Sequence, residues 1–208
     1  LVAFLVLPST IGLVLLSEPI VSVLYERRAF GVFDREQTAA ALQAYGYGLL
    51  FYAWLKVLQP AFYAIEKRWL PMMMSFVALG LNLGFNYLFV FVLKWGHESL
   101  AMTTSIVAAV NFLSLYVAMG RFAGDIGTPS ILKVLAKILV AGAAMGGVCW
   151  AAVTWVFSHP EQMNVLARCA ALGVTIGVAA VIYFAIARLL GVAEAKEALS
   201  MITRRLRR

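Results

Sequence analysis

Six polar side chains stand inside otherwise apolar runs of this sequence, and they are where any chemistry must lie: Glu18, Lys56, Gln59, Asn82, Asn86 and Asn111. Lys56, in the stretch "YAWLKVLQPAFYA", is the most demanding of them. It precedes Lys67 by eleven residues, which on a helix is about 16 Å at 1.5 Å per residue. If the run crosses a membrane whose hydrocarbon core is about 30 Å thick, the ammonium lies near the midplane, too deep to snorkel to either surface. A lysine there costs about 2.5–3.5 kcal/mol on insertion scales, so it faces a cavity or a partner instead of lipid. Two readings stand with equal weight: a cavity-lining cation that meets an anionic substrate, with Gln59 and Glu18 as further cavity groups, or a structural ion pair, with Glu18 as the acid.

Asn82 and Asn86 are four apart and share one helix face, while Thr103, Thr104 and Ser105 open the following run. Hydrogen bonds between helices, worth about 1 kcal/mol, are the commoner role of such residues. Nothing in the sequence favours catalysis. His97 and His159 fall in short connections, Cys149 and Cys169 fall inside apolar runs as small core residues, and no nucleophile, base or paired-carboxylate pattern sits at one depth. The chain is not read as an enzyme, and no cofactor is called for. The net charge of +7 accompanies no nucleic-acid-binding motif and is read as attraction to anionic lipid headgroups.

The elements that must position these groups follow from hydropathy. With 63% hydrophobic and 13% charged residues and a mean hydropathy of +0.89, the composition is that of an integral membrane chain. Six apolar segments, 1–25, 39–65, 70–93, 99–120, 131–157 and 165–190, are apolar on all sides for about twice the length of a barrel strand and are read as six spanning helices in an all-α fold. Residues 191–208, with apolar side chains spaced among charges, predict a short basic amphipathic helix on a membrane surface. Pro8 and the Glu18-Pro19 pair predict a kink or break near the middle of the first helix, and Pro60 marks the second in the same way. Such breaks free backbone carbonyls at depth, where transporters place binding sites. Gly142 with Gly146, and Gly173 with Gly177, form two GxxxG patterns that permit close helix packing or line a lipid groove. The chain begins in mid-pattern on Leu1 and is read as a piece of a longer polypeptide.

Orientation follows from the basic residues of the connections. Arg27, Arg28, Arg35, Lys94 and Arg168 fall on one side; Lys67, Arg68, Arg121, Lys133, Lys137, Arg188, Lys196, Arg204, Arg205, Arg207 and Arg208 fall on the other. The richer side is cytoplasmic, so both ends of the chain are predicted to be inside.

The blocks "LPSTIGLVLLSEPIVSVLYERRAF", "KVLQPAFYA" followed by Pro71, "LNLGFNYLF" and "SLAMTTSIVAAVNFLSLY" resemble, in that order, the C-terminal half of the MurJ/MviN lipid II flippases. The "EPIV…LYERRAF" block is the most specific, with Arg28 where the family usually has a glycine. The resemblance implies helices nine to fourteen of a fourteen-helix transporter of the multidrug/oligosaccharidyl-lipid/polysaccharide (MOP) exporter superfamily in the bacterial cytoplasmic (inner) membrane. Residues 1–120 would be the four-helix part of the C-terminal transport bundle, 121–190 a further pair forming a lipid-tail groove, and 191–208 the cytoplasmic tail. The implied activity is flipping of the undecaprenyl-pyrophosphate-linked peptidoglycan precursor by alternating access, for cell-wall synthesis. The implied partners are that precursor, bacterial membrane lipids and the N-terminal helices upstream of Leu1, which carry most of the pyrophosphate-binding arginines. A family sodium site maps to Asn82, Asn86 and Thr104, with Asn86 where some members carry an acid. Lys56 matches the lysine of the K-V-L-x-P pattern, which favours the cavity. A polysaccharide-lipid flippase, a cation-coupled drug antiporter of the same superfamily, or a non-transporting scaffold are the alternatives.

Overall fold

The computed structural model describes residues 1–25, 30–96, 98–124, 127–158 and 163–195. The glycine-replacing Arg28, the two histidines and residues 196–208 of the proposed tail lie outside the described residues.

Every regular element among them is helical: α1 (Val2–Leu15), α2 (Ser17–Tyr25), α3 (Val32–Ala64), α4 (Trp69–Tyr87) continued by a π-helical turn (Leu88–Val92), α5 (Glu98–Ala123), α6 (Thr128–Trp155) and α7 (Val165–Leu189). Four helices, Trp69–Val92, Ser99–Phe122, Thr128–Trp155 and Val165–Leu189, are long and apolar enough to span a bilayer, and α1 with α2, bent by 72° at their junction, meets the same measure as a pair, in the shape of a broken span or a re-entrant loop. α3 is not among these candidates by composition. It starts at Val32, seven residues before its apolar run, because Asp34 Oδ2 accepts the Gly31 amide at 3.0 Å and seats the first turn. Its polar opening, Asp34 to Thr38, is helical, and within the apolar run Gln43, Lys56, Gln59 and four tyrosines hold the hydropathy down. α3 also runs unbroken through Pro60, so that proline does not divide the second helix.

Side-chain contacts fix how the helices run. Gly142 and Gly146 of α6 admit Leu7, Ile11 and Leu15 of α1, and the pairing advances in the same direction on both, so these helices are parallel. α3 and α5 are parallel too: the Ser105 hydroxyl donates to the Ala44 carbonyl at 2.6 Å, and Trp54 packs on Phe112 at 5.0 Å between ring centroids. Gly48 makes the upper crossing possible, since a Cβ there would lie 2.9 Å from the Ser105 Cα. α7 runs antiparallel to the α1–α2 pair, with Tyr183 beside Phe4 and Arg168 beside Ser22. The first GxxxG pair is therefore a packing seam. The second is not, because nothing lies within 4 Å of a Cβ built on Gly173 or Gly177.

Two buried clusters result. One joins Phe4, Leu7 and Leu16 to Ile138, Cys149 and Tyr183 across α1, α6 and α7. A smaller one gathers Leu55, Phe62, Leu115 and Met119 between α3 and α5. Cys149 belongs to the core as expected, whereas Cys169 is exposed on α7.

Candidate functional site

The break between α1 and α2 follows from the chain's own chemistry. Pro19 has no N–H to return to Leu15, and the backbone turns out of the helix at Leu16. The carbonyl of Val14, which loses its regular helical donor there, receives the Gln43 amide at 3.2 Å and the Ser17 hydroxyl at 3.4 Å. A polar side chain of α3 thus replaces a backbone donor at the bend, as an irregular backbone inside a membrane requires. A similar repair lies deeper in α1. Pro8 has no N–H for the Phe4 carbonyl, and the Tyr183 hydroxyl donates to it at 2.7 Å within the core.

Beyond the bend, α2 presents Glu18 and Ser22 one turn apart. Glu18 Oε1 lies 3.4 Å from Arg35 Nε, and Arg168 donates from Nη1 to Ser22 Oγ at 3.0 Å and from Nε to the Met163 carbonyl at 3.1 Å. The partner of Glu18 is Arg35, which replaces the expected pairing with Lys56. Both arginines belong to helices and are nearly enclosed, Arg35 at 5% and Arg168 at 9% exposure. They lie in the first turns of α3 and α7 and not in loops, and each folds its long side chain back against α2. The Glu18 side chain is 53% exposed and borders a cavity of about 350 Å³ that Ser17, Glu36, Gln43 and Trp150 also line. Gln43 and Ala40 separate this space from a second, of about 410 Å³, walled by Tyr47, Trp95, Ser99 and Met102.

Lys56 stands exposed on α3, with Gln59 partly buried one turn away. Pro60 supplies no N–H to the carbonyl of Lys56, so one residue offers both an ammonium donor and a freed acceptor. Lys56 and Gln59 are thus neighbours on one helix; Glu18 belongs to the separate α2 assembly.

On α4 the Asn86 amide donates to Asn82 Oδ1 at 2.9 Å, which confirms their common face. Asn86 Oδ1 is buried without a hydrogen-bond partner, as is Asn111 Oδ1 on α5. Thr104 lies on the neighbouring α5, its hydroxyl donated to the Leu100 carbonyl at 2.8 Å, and is not hydrogen-bonded to either asparagine. Of the hydroxyls of Thr103, Thr104 and Ser105, only that of Ser105 ties two helices together. No cluster of three His, Cys, Asp or Glu able to hold a metal occurs among the described residues.

An apolar groove of about 380 Å³ runs along the α1–α7 seam, lined by Leu5, Pro8 and Gly12 of α1, Met145 of α6, and Ile176 and Phe184 of α7.

Comparisons with known proteins agree with this arrangement. The family model described as lipid II flippase MurJ matches residues 1–166. A probable lipid II flippase MurJ of Rhizobium tropici is 32% identical over 208 residues, all of this chain and 38% of that protein. Its counterpart in Bdellovibrio bacteriovorus is 31% identical over 188 residues, 90% of this chain and 35% of the relative. Among solved structures, a lipid II flippase MurJ in an inward closed conformation superposes with a TM-score of 0.65 at 23% identity, over 99% of this chain and 38% of that one. The chain thus spans rather more than a third of the length of the relatives it matches.

Proposed function

Since the chain belongs to the lipid II flippase MurJ family, we propose that it supplies the C-terminal part of a transporter that carries undecaprenyl-pyrophosphate-linked peptidoglycan precursor across the bacterial cytoplasmic membrane. The observation that carries this reading furthest is Lys56. An exposed ammonium eight residues, about 12 Å, before the end of α3 at Ala64 is too costly to leave in lipid. It fits a cavity completed by helices beyond these residues, where it meets the pyrophosphate or an acid of the facing half. Cation and anion attract strongly there because little water screens them. Transport of this kind rocks two helix bundles about a central site, and six helical spans, with α3 as the second, would supply one bundle and two additional helices. Residues 1–120 form the bundle part in this reading. Residues 121–190 form the pair whose α7 walls the apolar groove, a place for the prenyl tail, and 191–208 the cytoplasmic tail. The protein moves its substrate without making or breaking a bond in it.

The test is Lys56→Ala in the full-length protein, with export of labelled precursor measured in cells that depend on the variant. Export should fall at least tenfold at normal protein level, with partial recovery in Lys56→Arg. Normal export and growth would overturn the reading. The charge asymmetry between connections favours an orientation with both ends cytoplasmic. Because Arg35 is buried, the residue to probe is Phe33, at 70% exposure. A cysteine replacing it, in a background without Cys149 and Cys169, should react with impermeant thiol reagents outside intact cells, and labelling only after permeabilisation reverses the orientation.

Sodium coupling belongs to the same reading. Asn82, Asn86 and Thr104 offer hard oxygens suited to an alkali cation, and the partnerless Asn86 Oδ1 is the best placed of them. They make only a partial shell, so backbone carbonyls and an acid from an upstream helix must complete it.

A further inference from the structure

α7 touches both arms of the broken helix and lies straight across the bend. Tyr183 holds the inner arm through the Phe4 carbonyl, and Arg168 holds the outer arm through Ser22. Along α7 these two residues are fifteen positions apart, a rise of about 22 Å at 1.5 Å per residue. Phe4 to Leu16 spans about 18 Å of helix and Leu16 to Ser22 about 9 Å. Joined at the 72° bend, those arms separate Phe4 from Ser22 by about 22 Å; laid end to end they would separate them by about 27 Å. The spacing of the two attachments on α7 therefore matches the bent form of α1–α2 and falls short of the straight one.

We propose that α7 is a two-point splint that sets the bend of α1–α2, with Arg168 as the positioning residue that releases it. Arg168 suits the role because its guanidinium divides its donors between Ser22 and the Met163 carbonyl just before α7, which fixes the side chain at both ends of its reach. The opposite side of α2 is braced from α3 by the Glu18–Arg35 ion pair. Straightening α2 must break both contacts, whereas the Tyr183 attachment lies on the other side of the hinge and survives. Ile176 and Phe184 on the same helix wall the apolar groove. Resting on the transport reading above, an apolar chain lodged there acts on α7 and, through Arg168, on the angle of the broken helix.

The experiment is a distance measurement between spin labels on cysteines replacing Leu5 and Leu24, exposed residues of the two arms. It uses the full-length polypeptide in lipid vesicles, with Cys149→Ala, Cys169→Ala and no other cysteine. Arg168→Leu should lengthen and broaden the distance by about 5 Å, the difference between bent and straight arms. Ser22→Ala, which removes the acceptor of the Arg168 hydrogen bond, should move it the same way, and Ser22→Thr, which keeps the hydroxyl, should leave it short. An unchanged distance in Arg168→Leu and Ser22→Ala overturns the splint; should Arg168→Leu fail to fold, Ser22→Ala decides alone. The distance reports on the bend whatever the protein carries. Normal export by Lys56→Ala would sink the transport reading without touching the splint, and an unmoved distance would do the reverse.

Discussion

The α1–α6–α7 seam and the α4 helix are built from similar residues and have opposite surroundings. In the seam, Phe4, Ala141, Cys149, Ala179 and Tyr183 are completely enclosed. Along the apolar window of α4, none of the residues is buried, and Met72, Phe76, Leu79, Leu83 and Tyr87 are open. The seam repairs the carbonyl freed by Pro8 from within, through the Tyr183 hydroxyl, and leaves the buried Thr10 hydroxyl of α1 unpaired. α4 carries a buried amide oxygen, on Asn86, that is left without a partner. Apolar character alone therefore does not say what a helix meets: it says only that water is excluded, by protein in one place and by lipid or further protein in another. The polar atoms are the better guide, because a buried acceptor left unpaired costs about 1–3 kcal/mol and marks a surface that something else completes.

The largest effect that could break this contrast comes from adding volume at matched glycines. A Cβ on Gly142 would lie 2.6 Å from Ile11 Cδ1 and 2.7 Å from Leu7 Cδ2, whereas nothing lies within 4 Å of one on Gly80. Gly142→Leu should destabilise the protein by about 3 kcal/mol through overpacking, and Gly80→Leu by under about 0.5 kcal/mol. Unfolding midpoints in detergent give both values, and equal effects would mean that the seam is not the tighter region. Next in size is Tyr183→Phe, which removes the donor to the Phe4 carbonyl. It should cost about 1–2 kcal/mol, visible in the same melts and as faster hydrogen exchange around Phe4. The smallest change belongs to α4: Asn86→Asp should leave stability within about 0.5 kcal/mol while altering the sodium dependence of export. Indifference to sodium in both forms would make the Asn82–Asn86 pair a purely structural hydrogen bond.

How much could be read from the amino acids depended on range. α5, α6 and α7 were legible within a few residues because their apolar runs are long and sharply ended. The break in the first helix was legible because proline's missing amide is a local fact, and its neighbour Ser17 is a side chain that can stand in. The start of α3 was not, since Asp34, Arg35 and Glu36 look like a connection until the Gly31–Asp34 hydrogen bond and the pull of α2 are considered. The burial of Arg35 and Arg168 was not legible, for a related reason. Positive charges are counted by position along the chain, and a long side chain that folds back onto a neighbouring helix changes its surroundings without changing its number. Of the two readings open for Lys56, the pair with Glu18 gives way to Glu18–Arg35, because the nearest cation in space depends on the 72° bend, which spacing does not show. The π-helical turn after α4 carries no local signal that distinguishes it from α-helix.

The hydrogen bond from the Tyr183 hydroxyl to the Phe4 carbonyl makes the effect of a change at Tyr183 depend on Pro8. The tyrosine hydroxyl is needed there only because position 8 is a proline; an alanine at that position would return an amide to the carbonyl and leave the hydroxyl redundant. A lineage that exchanged Tyr183 for phenylalanine first would pass through a weakened protein, while one that lost Pro8 first would not. The easy order of change runs through position 8, so two sites at opposite ends of the sequence should drift as one.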